Sequence, residues 1–133
     1  MVEKALLAVD IIVLKDDYIL LIKRKNEPYK GKYALPGGFV NEKERVEEAA
    51  IRELSEETGL YVTKKNLKNV GVYSEPKRDP RGRVISFAFK FIAGEQIPSA
   101  GDDAKEVKWF PLQDMPELSF DHKKIVEDAT KIK

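Results

Sequence analysis

The chain has 133 residues, 42% hydrophobic and 35% charged, the balance of a folded, well-solvated domain large enough to bury a core without staples. A formal net charge of +1 leaves no whole-molecule field to draw in nucleic acid or an anionic membrane, and neither is expected as a partner. With no cysteine and one histidine, His122, the sequence excludes disulfides and a cysteine nucleophile, and makes a Ser-His-Asp triad or a multi-histidine zinc site very hard to build. Carboxylates remain in quantity, and hard oxygen ligands suit magnesium, calcium or manganese.

The run from Ala5 to Leu14 is apolar except for Asp10. It is too short to span a bilayer and lacks a small-residue cleavage site, so it is expected to be a buried strand. With no targeting signal, the expected location is the cytoplasm. Tyr18 to Ile22 predicts a second strand, joined to the first through Lys15-Asp16-Asp17 as a hairpin. Lys23, Arg24 and Lys25 are expected to be a solvated strand end, with approach to phosphate as the alternative. Pro28 and Gly31 mark a loop, Lys32 to Leu35 a short strand, and Pro36-Gly37-Gly38 a turn.

From about Asn41 to Thr58 the composition is helical, and Gly59 stands where a left-handed C-terminal cap belongs. Tyr61 to Thr63 and Val70 to Tyr73 predict strand pieces. Ser74 to Arg83, dense in Pro, Arg, Asp and Gly, predicts a loop. Val84 to Ile92 predicts a strand, Val107 to Phe110 another ended by Pro111, and Phe120 to Ile132 a closing amphipathic helix. No repeat or linker interrupts this order. The pattern predicts one α/β domain with a mixed sheet and helices packed on it.

On a helix at about 100° per residue, Val46, Ala49, Ala50, Glu53, Leu54 and Glu57 share one broad face with Glu56 at its margin. Arg45, Glu48, Arg52 and Ser55 fall opposite. A carboxylate on the buried side of a helix is costly unless something compensates it. Glu53, Glu56 and Glu57 stand at i, i+3 and i+4, where like charges repel by a few tenths of a kcal/mol per pair on an exposed helix and by more when partly buried. A divalent cation reverses the sign of that repulsion. The plainer alternative is a solvated helix end in which Arg52 pairs with one of the glutamates.

The surrounding residues extend the pattern. Gly38, Glu44, Arg52-Glu53-Leu54, Glu56-Glu57 and Gly59-Leu60 occupy nine defined positions in 23 residues. Their spacing resembles the Nudix box at every one of them, with Leu35-Pro36-Gly37 ahead and Trp109-Phe110-Pro111 after it similar to the usual flanks of that family. The resemblance implies a Nudix-like α/β/α sandwich with a mixed β-sheet, formed by a single domain over residues 1–133. It implies a hydrolase that cleaves a pyrophosphate bond in a nucleotide derivative with Mg²⁺, for which Mn²⁺ may substitute.

Carried over by position, Glu53, Glu56 and Glu57 would be metal ligands and catalytic residues, with the carbonyl of Gly37 as a further ligand. Arg52 would orient the glutamates. Glu44 would stabilise the loop, although Asn41 and Glu44 also form a plausible capping box that needs no metal. Gly38 and Gly59 are expected to meet backbone requirements at turns. The general base in this family varies between box glutamates and a loop acid. Asp102, Asp103 and Glu106 are the loop candidates here, Asp103 first, against the alternative that they only solvate a turn.

The stretch from Gly71 to Arg83 looks like the corresponding part of archaeal and bacterial ADP-ribose pyrophosphatases, in which a proline about sixteen residues past the box is a marker that Pro76 matches. The resemblance implies hydrolysis of ADP-ribose to AMP and ribose 5-phosphate. Arg78, Arg81 and Arg83 would offer forked donors to phosphate or ribose oxygens, and Tyr73 or Phe120 a face for adenine. The alternative is a charged surface loop that only joins two strands. Other substrates open to the family are an oxidised nucleoside triphosphate or a dinucleoside polyphosphate. Non-catalytic ADP-ribose sensors of related regulators carry a similar Arg-Asp-Pro-Arg-Gly string, but append a winged-helix domain for which no room is expected here. Enzymes of the family are often homodimers, and the apolar strand from Val84 to Ile92 would serve either an interface or the core.

Overall fold

The period-2 alternation of the first strand divides the molecule into two apolar layers. The computed structural model describes residues 3–101 and 104–132. Among these the chain runs β1 (Leu6–Lys15), β2 (Tyr18–Arg24), β3 (Tyr33–Ala34), β4 (Gly37–Phe39), α1 (Val46–Thr58), a 3-10 turn (Lys64–Asn66), β5 (Lys68–Tyr73), β6 (Val84–Ile92), β7 (Ala104–Pro111) and α2 (His122–Thr130). Val9, Ile11 and Val13 of β1 pack with Ala49, Ala50 and Leu54 of α1. Ile12 and Leu14 point the other way, into a cluster with Ile125, Val126 and Ala129 of α2. A helix on each face of one sheet is the expected α/β/α sandwich, and burying both faces of β1 is why its sequence is nearly continuous in apolar residues.

The sheet order is β3-β2-β1-β6-β5, with β4 also on β1 and β7 on β2. β1 and β6 are parallel, from Leu6 beside Val84 to Leu14 beside Ile92, while the other pairings are antiparallel, so the sheet is mixed. The hairpin between β1 and β2 turns at Asp16, whose φ of 53° is the left-handed geometry a two-residue turn requires.

Several boundaries differ from the sequence reading. The helix begins at Val46 rather than near Asn41, because 41–45 is spent on a turn in which Glu44 N–H donates to Asn41 O and Asn41 N–H to the Glu44 carboxylate. Pro36-Gly37-Gly38 is not a free turn. Gly37 and Gly38 enter β4 and pair with Asp10 and Val9, so close that a Cβ on Gly37 would collide with the Val9 carbonyl. Tyr61 to Thr63 forms no strand; Leu60 and Val62 bury their side chains from irregular chain instead. β7 extends three residues before Val107. β6 lies between β1 and β5 and is packed on its α1 side, so it is a core strand and offers no edge to a second subunit. Among the described residues, no helix is long and apolar enough to cross a membrane.

Candidate active site

α1 delivers its glutamates at its C-terminal end, the end where the helix dipole disfavours negative charge, and it carries no basic residue in the last turn. Gly59 then stops it with φ 70° and an N–H bond to the Ser55 carbonyl, as the sequence predicts. The compensation for the acids comes from Arg52. Its Nε and Nη2 hold Glu44 at 2.7 and 2.9 Å, and its Nη1 holds Glu53 at 2.5 Å and Glu56 at 2.7 Å. Nη2 also donates to the Phe39 carbonyl, fastening the strand before the helix. The Glu44 hydrogen bond comes first among the causes that raise the Arg52 guanidinium above its ordinary value, with burial opposing and Glu56 and Glu53 adding. The same bond holds the Glu44 carboxyl below its ordinary range.

The three box glutamates therefore take different roles. Glu56 is half exposed on the outer side with Arg52. Glu53 is 13% exposed and abuts Gly38, where any Cβ would overlap its carboxylate. That close approach requires glycine at 38, rather than a turn conformation. Glu57 is buried, and its Oε1 accepts the Gly37 N–H at 2.6 Å. Among the described residues no three acidic or histidine side chains converge as an ion-holding group, since Arg52 draws Glu53 and Glu56 to its own side.

Glu53 and Glu57 nevertheless face one cleft of about 320 Å³, which Gly37, Gly38 and Phe39 also line. Its other walls bring Arg24, Lys25, Arg78, Asp79, Arg81, Phe120, His122 and Asp10. Arg24 and Lys25 thus belong to the cleft, against the expectation of a solvated strand end. Burial, then the charge of Arg81, depresses the Arg24 guanidinium below its ordinary value, with Glu57, Asp79 and Asp10 offsetting. Cations crowded in a half-buried cleft favour an anion among them.

The residues drawn from the 71–83 stretch separate. Arg81 is 41% exposed in the cleft, held from behind by both oxygens of buried Asp79 at 3.0 and 2.8 Å. Arg78 forms part of the wall, but its side chain is 3% exposed and its Nε and Nη2 grip Asp121 at 2.9 and 2.6 Å. Tyr73 does not reach the cleft. It packs on the α2 face and donates its hydroxyl to Asp128 at 2.7 Å, and burial, with Asp128, pushes its phenol well above the ordinary value. Pro76 is exposed outside the cleft, and Arg83 lies on a different surface beside Glu3 and Ile85. Glu106 accepts the Tyr33 hydroxyl at 2.5 Å from β7 and is likewise no part of the cleft. Asp102 and Asp103 lie outside the described residues.

Two cleft positions escaped the sequence reading. Asp10 lies on the cleft floor, accepting Ser86 Oγ at 2.5 Å and His122 Nε2 at 3.2 Å, with Arg78 Nη2 at 3.6 Å. Burial opposes charge on it, but His122, Ser86 and Arg78 outweigh burial and hold its carboxyl below the ordinary range. The signal was present: one acid inside an otherwise apolar strand is expensive without partners. His122, the lone histidine, is its partner.

Glu53 and Glu57 of the box, the β4 strap and Arg24, Arg78 and Arg81 line one cleft, and a model of the NUDIX domain matches residues 4–129. The chain belongs to the Nudix family. It is 58% identical over 123 residues to the ADP-ribose pyrophosphatase of Methanocaldococcus jannaschii, covering 91% of this chain and 70% of that protein. A MutT/nudix family protein from Enterococcus faecalis superposes with a TM-score of 0.92 at 34% identity, over 98% of this Nudix chain and 62% of the other. The NUDIX domain of Shewanella oneidensis NrtR, solved in complex with ADP ribose, superposes at 0.88 with 30% identity, over 98% of this chain and 89% of that one. Other curated relatives are longer, the chain spanning 37% to 61% of their length. Nudix hydrolases generally work with a divalent metal.

Proposed function

We propose that this Nudix domain hydrolyses the pyrophosphate bond of ADP-ribose, giving AMP and ribose 5-phosphate. The observation that carries this reading is one cleft lined both by the carboxylates of Glu53 and Glu57 and by the guanidinium groups of Arg24 and Arg81, in a chain so similar to an ADP-ribose pyrophosphatase. The donor set suits a hard cation: Glu53 and Glu57 present carboxylate oxygens to the cleft, beside Gly37. They would hold Mg²⁺, or Mn²⁺ in its place, with the Gly37 carbonyl as a further ligand, while Glu56, turned outward on Arg52, would join them only by releasing that arginine. The ion's contribution would be to neutralise phosphate oxygens and to acidify water for in-line attack.

The protein's own residues do the rest. Arg52 keeps Glu53 at the cleft and Glu44 on the loop. Gly37 N–H fixes the rotamer of Glu57. Arg24 and Arg81 draw the diphosphate in and orient it. Asp103 is the proposed general base. Gly101, two residues earlier in the sequence, donates its N–H to the Glu57 carbonyl at 3.0 Å at the acidic end of α1.

A second reading, ADP-ribose binding without turnover, takes its support from the NrtR neighbour solved with ADP ribose. Assay of ADP-ribose, NADH, diadenosine polyphosphates and 8-oxo-dGTP, each with and without Mg²⁺, separates the readings. Mg²⁺-dependent release of AMP, fastest from ADP-ribose, is expected. Tight binding of ADP-ribose with no product would favour sensing, and an 8-oxo triphosphate turned over about ten-fold faster would overturn the substrate assignment.

A further inference from the structure

Beneath the cleft lies a buried polar cluster that the hydrolytic reading leaves without a task. Asp10 is 7% exposed, His122 3% and Ser86 fully buried. They come from β1, α2 and β6. One Asp10 oxygen accepts the Ser86 hydroxyl, with Arg78 Nη2 3.6 Å away, and the other accepts His122 Nε2 at 3.2 Å. A buried charged cluster adds little net stability over apolar packing of the same volume, and its best-attested use is to fix one arrangement among several.

What this cluster touches is the strap that leads from β3 into β4. His122 accepts the Leu35 N–H on Nδ1 at 3.0 Å, so its ring proton sits on Nε2 and is donated to Asp10. Pro36 has no N–H, and its carbonyl accepts the Ile11 N–H at 2.8 Å. The next N–H, that of Gly37, goes to Glu57 Oε1 at 2.6 Å. Asp10 also stands beside Gly37 in the register of β1 and β4, where a Cβ on Gly37 would lie 2.8 Å from Asp10 Oδ1. Leu35-Pro36-Gly37 thus joins the buried cluster at one end to the cleft glutamate at the other. A Leu35 amide that loses its buried acceptor must move to find another, and the stiff proline carries that movement to Gly37.

On the reading that Glu57 holds the metal, we propose that His122 and Asp10 are positioning residues for it: the pair holds the strap where the Gly37 N–H keeps Glu57 turned to the ion.

Side-chain amides separate the two nitrogens of His122. In His122→Gln the amide nitrogen takes the place of Nε2, keeping a donor for Asp10 and leaving the Leu35 N–H unpaired. In His122→Asn the amide oxygen takes the place of Nδ1, keeping the acceptor for Leu35. Amide hydrogen exchange on the metal-free full chain reads the strap, and calorimetric titration with Mg²⁺ reads the site. His122→Gln should speed exchange at Gly37 relative to fully buried Leu20 in the same sample. It should also weaken Mg²⁺ about ten-fold, within the range for a group that supports a metal ligand. His122→Asn should recover most of both. Asp10→Asn should act in the direction of His122→Gln, and Ser86→Ala, which removes one donor from Asp10, should do so more mildly should Asp10→Asn not fold. Tyr73→Phe, which loosens α2 at Asp128 instead, should change neither.

Gly37 exchange that rises only in step with Leu20 in His122→Gln, or equal losses in His122→Gln and His122→Asn, would overturn the proposal. Faster Gly37 exchange with Mg²⁺ bound as tightly as by wild type would overturn the role toward the metal. The metal reading itself is tested separately: no Mg²⁺ binding by wild type, with Gly37 exchange still dependent on His122, would remove the ion and keep the hold on Glu57.

Discussion

Replacing Gly38 by alanine tests how tightly the strap holds the acidic end of α1. The new Cβ would stand 2.7 Å from Glu53 Oε1 and closer still to the carboxyl carbon, well inside contact distance. Glu53 cannot simply rotate aside, because its Oε1 is held by Arg52 Nη1 at 2.5 Å and its side chain is largely buried. Either the strap backs away from β1, breaking the register of Gly38 with Val9, or Glu53 releases Arg52. Overpacking and the loss of one hydrogen bond between charged groups each cost on the order of 1–3 kcal/mol, so a loss of about 2 kcal/mol in unfolding free energy is expected. The functional effect should be larger, since a displaced ligand or its supporting shell typically costs about 10–100-fold in metal affinity.

The assay is kcat/KM for ADP-ribose as a function of Mg²⁺, with urea unfolding on the same samples. Gly71→Ala is the control, since its Cβ would meet nothing nearer than Tyr73 Oη at 3.5 Å. Gly38→Ala is expected to need at least ten-fold more Mg²⁺ for half-maximal activity, and Gly71→Ala to follow wild type. Wild-type Mg²⁺ dependence in Gly38→Ala would refute the reasoning that Glu53 is pinned at the cleft by that contact.

Two further predictions concern residues outside the glutamate cluster. Tyr73→Phe should leave ADP-ribose turnover intact while destabilising the fold. The Asp128 carboxyl is held below its ordinary 3.8 and the Tyr73 phenol above its ordinary 10.0. Asp128's contribution is thus present above pH 3.8 and lost as pH falls through its lowered value, and Tyr73's is present below pH 10.0 and lost as pH rises through its raised one. The stability difference between wild type and Tyr73→Phe, measured by urea unfolding across pH, should therefore be widest between these limits and narrow on both sides. Arg78→Ala leaves Asp10 and Asp121 without their shared guanidinium, and should cost on the order of 3 kcal/mol in thermal or chemical unfolding.

How much was legible depended on whether the information was local. The box glutamates, Arg52 and the Gly59 cap lie within one helix, so spacing alone brings them together. β6 was delimited to the residue because its apolar run is bounded by charged and turn residues. The strap was missed because its strand partner, β1, lies far away in sequence, and two glycines after a proline have the local chemistry of a turn. Tyr73 and Phe120 were equal candidates in sequence. The sheet takes Tyr73 away from the cleft, since a side chain on a strand faces one layer only and Tyr73 faces α2. Asp10, Ser86 and His122 meet from three distant elements, which no local pattern reveals, although the cost of a bare acid inside β1 already required partners for it.

Glu57 is the residue on which the account most depends, since it is buried, faces the cleft and is bound to the strap. Glu57→Gln keeps the shape and removes the charge. Single-turnover hydrolysis of ADP-ribose over a Mg²⁺ titration should show at least a hundred-fold loss in rate with the fold intact by thermal unfolding, a loss on the scale of one strong catalytic contact. Turnover and Mg²⁺ dependence close to wild type would contradict the assignment of this cleft as the catalytic metal site.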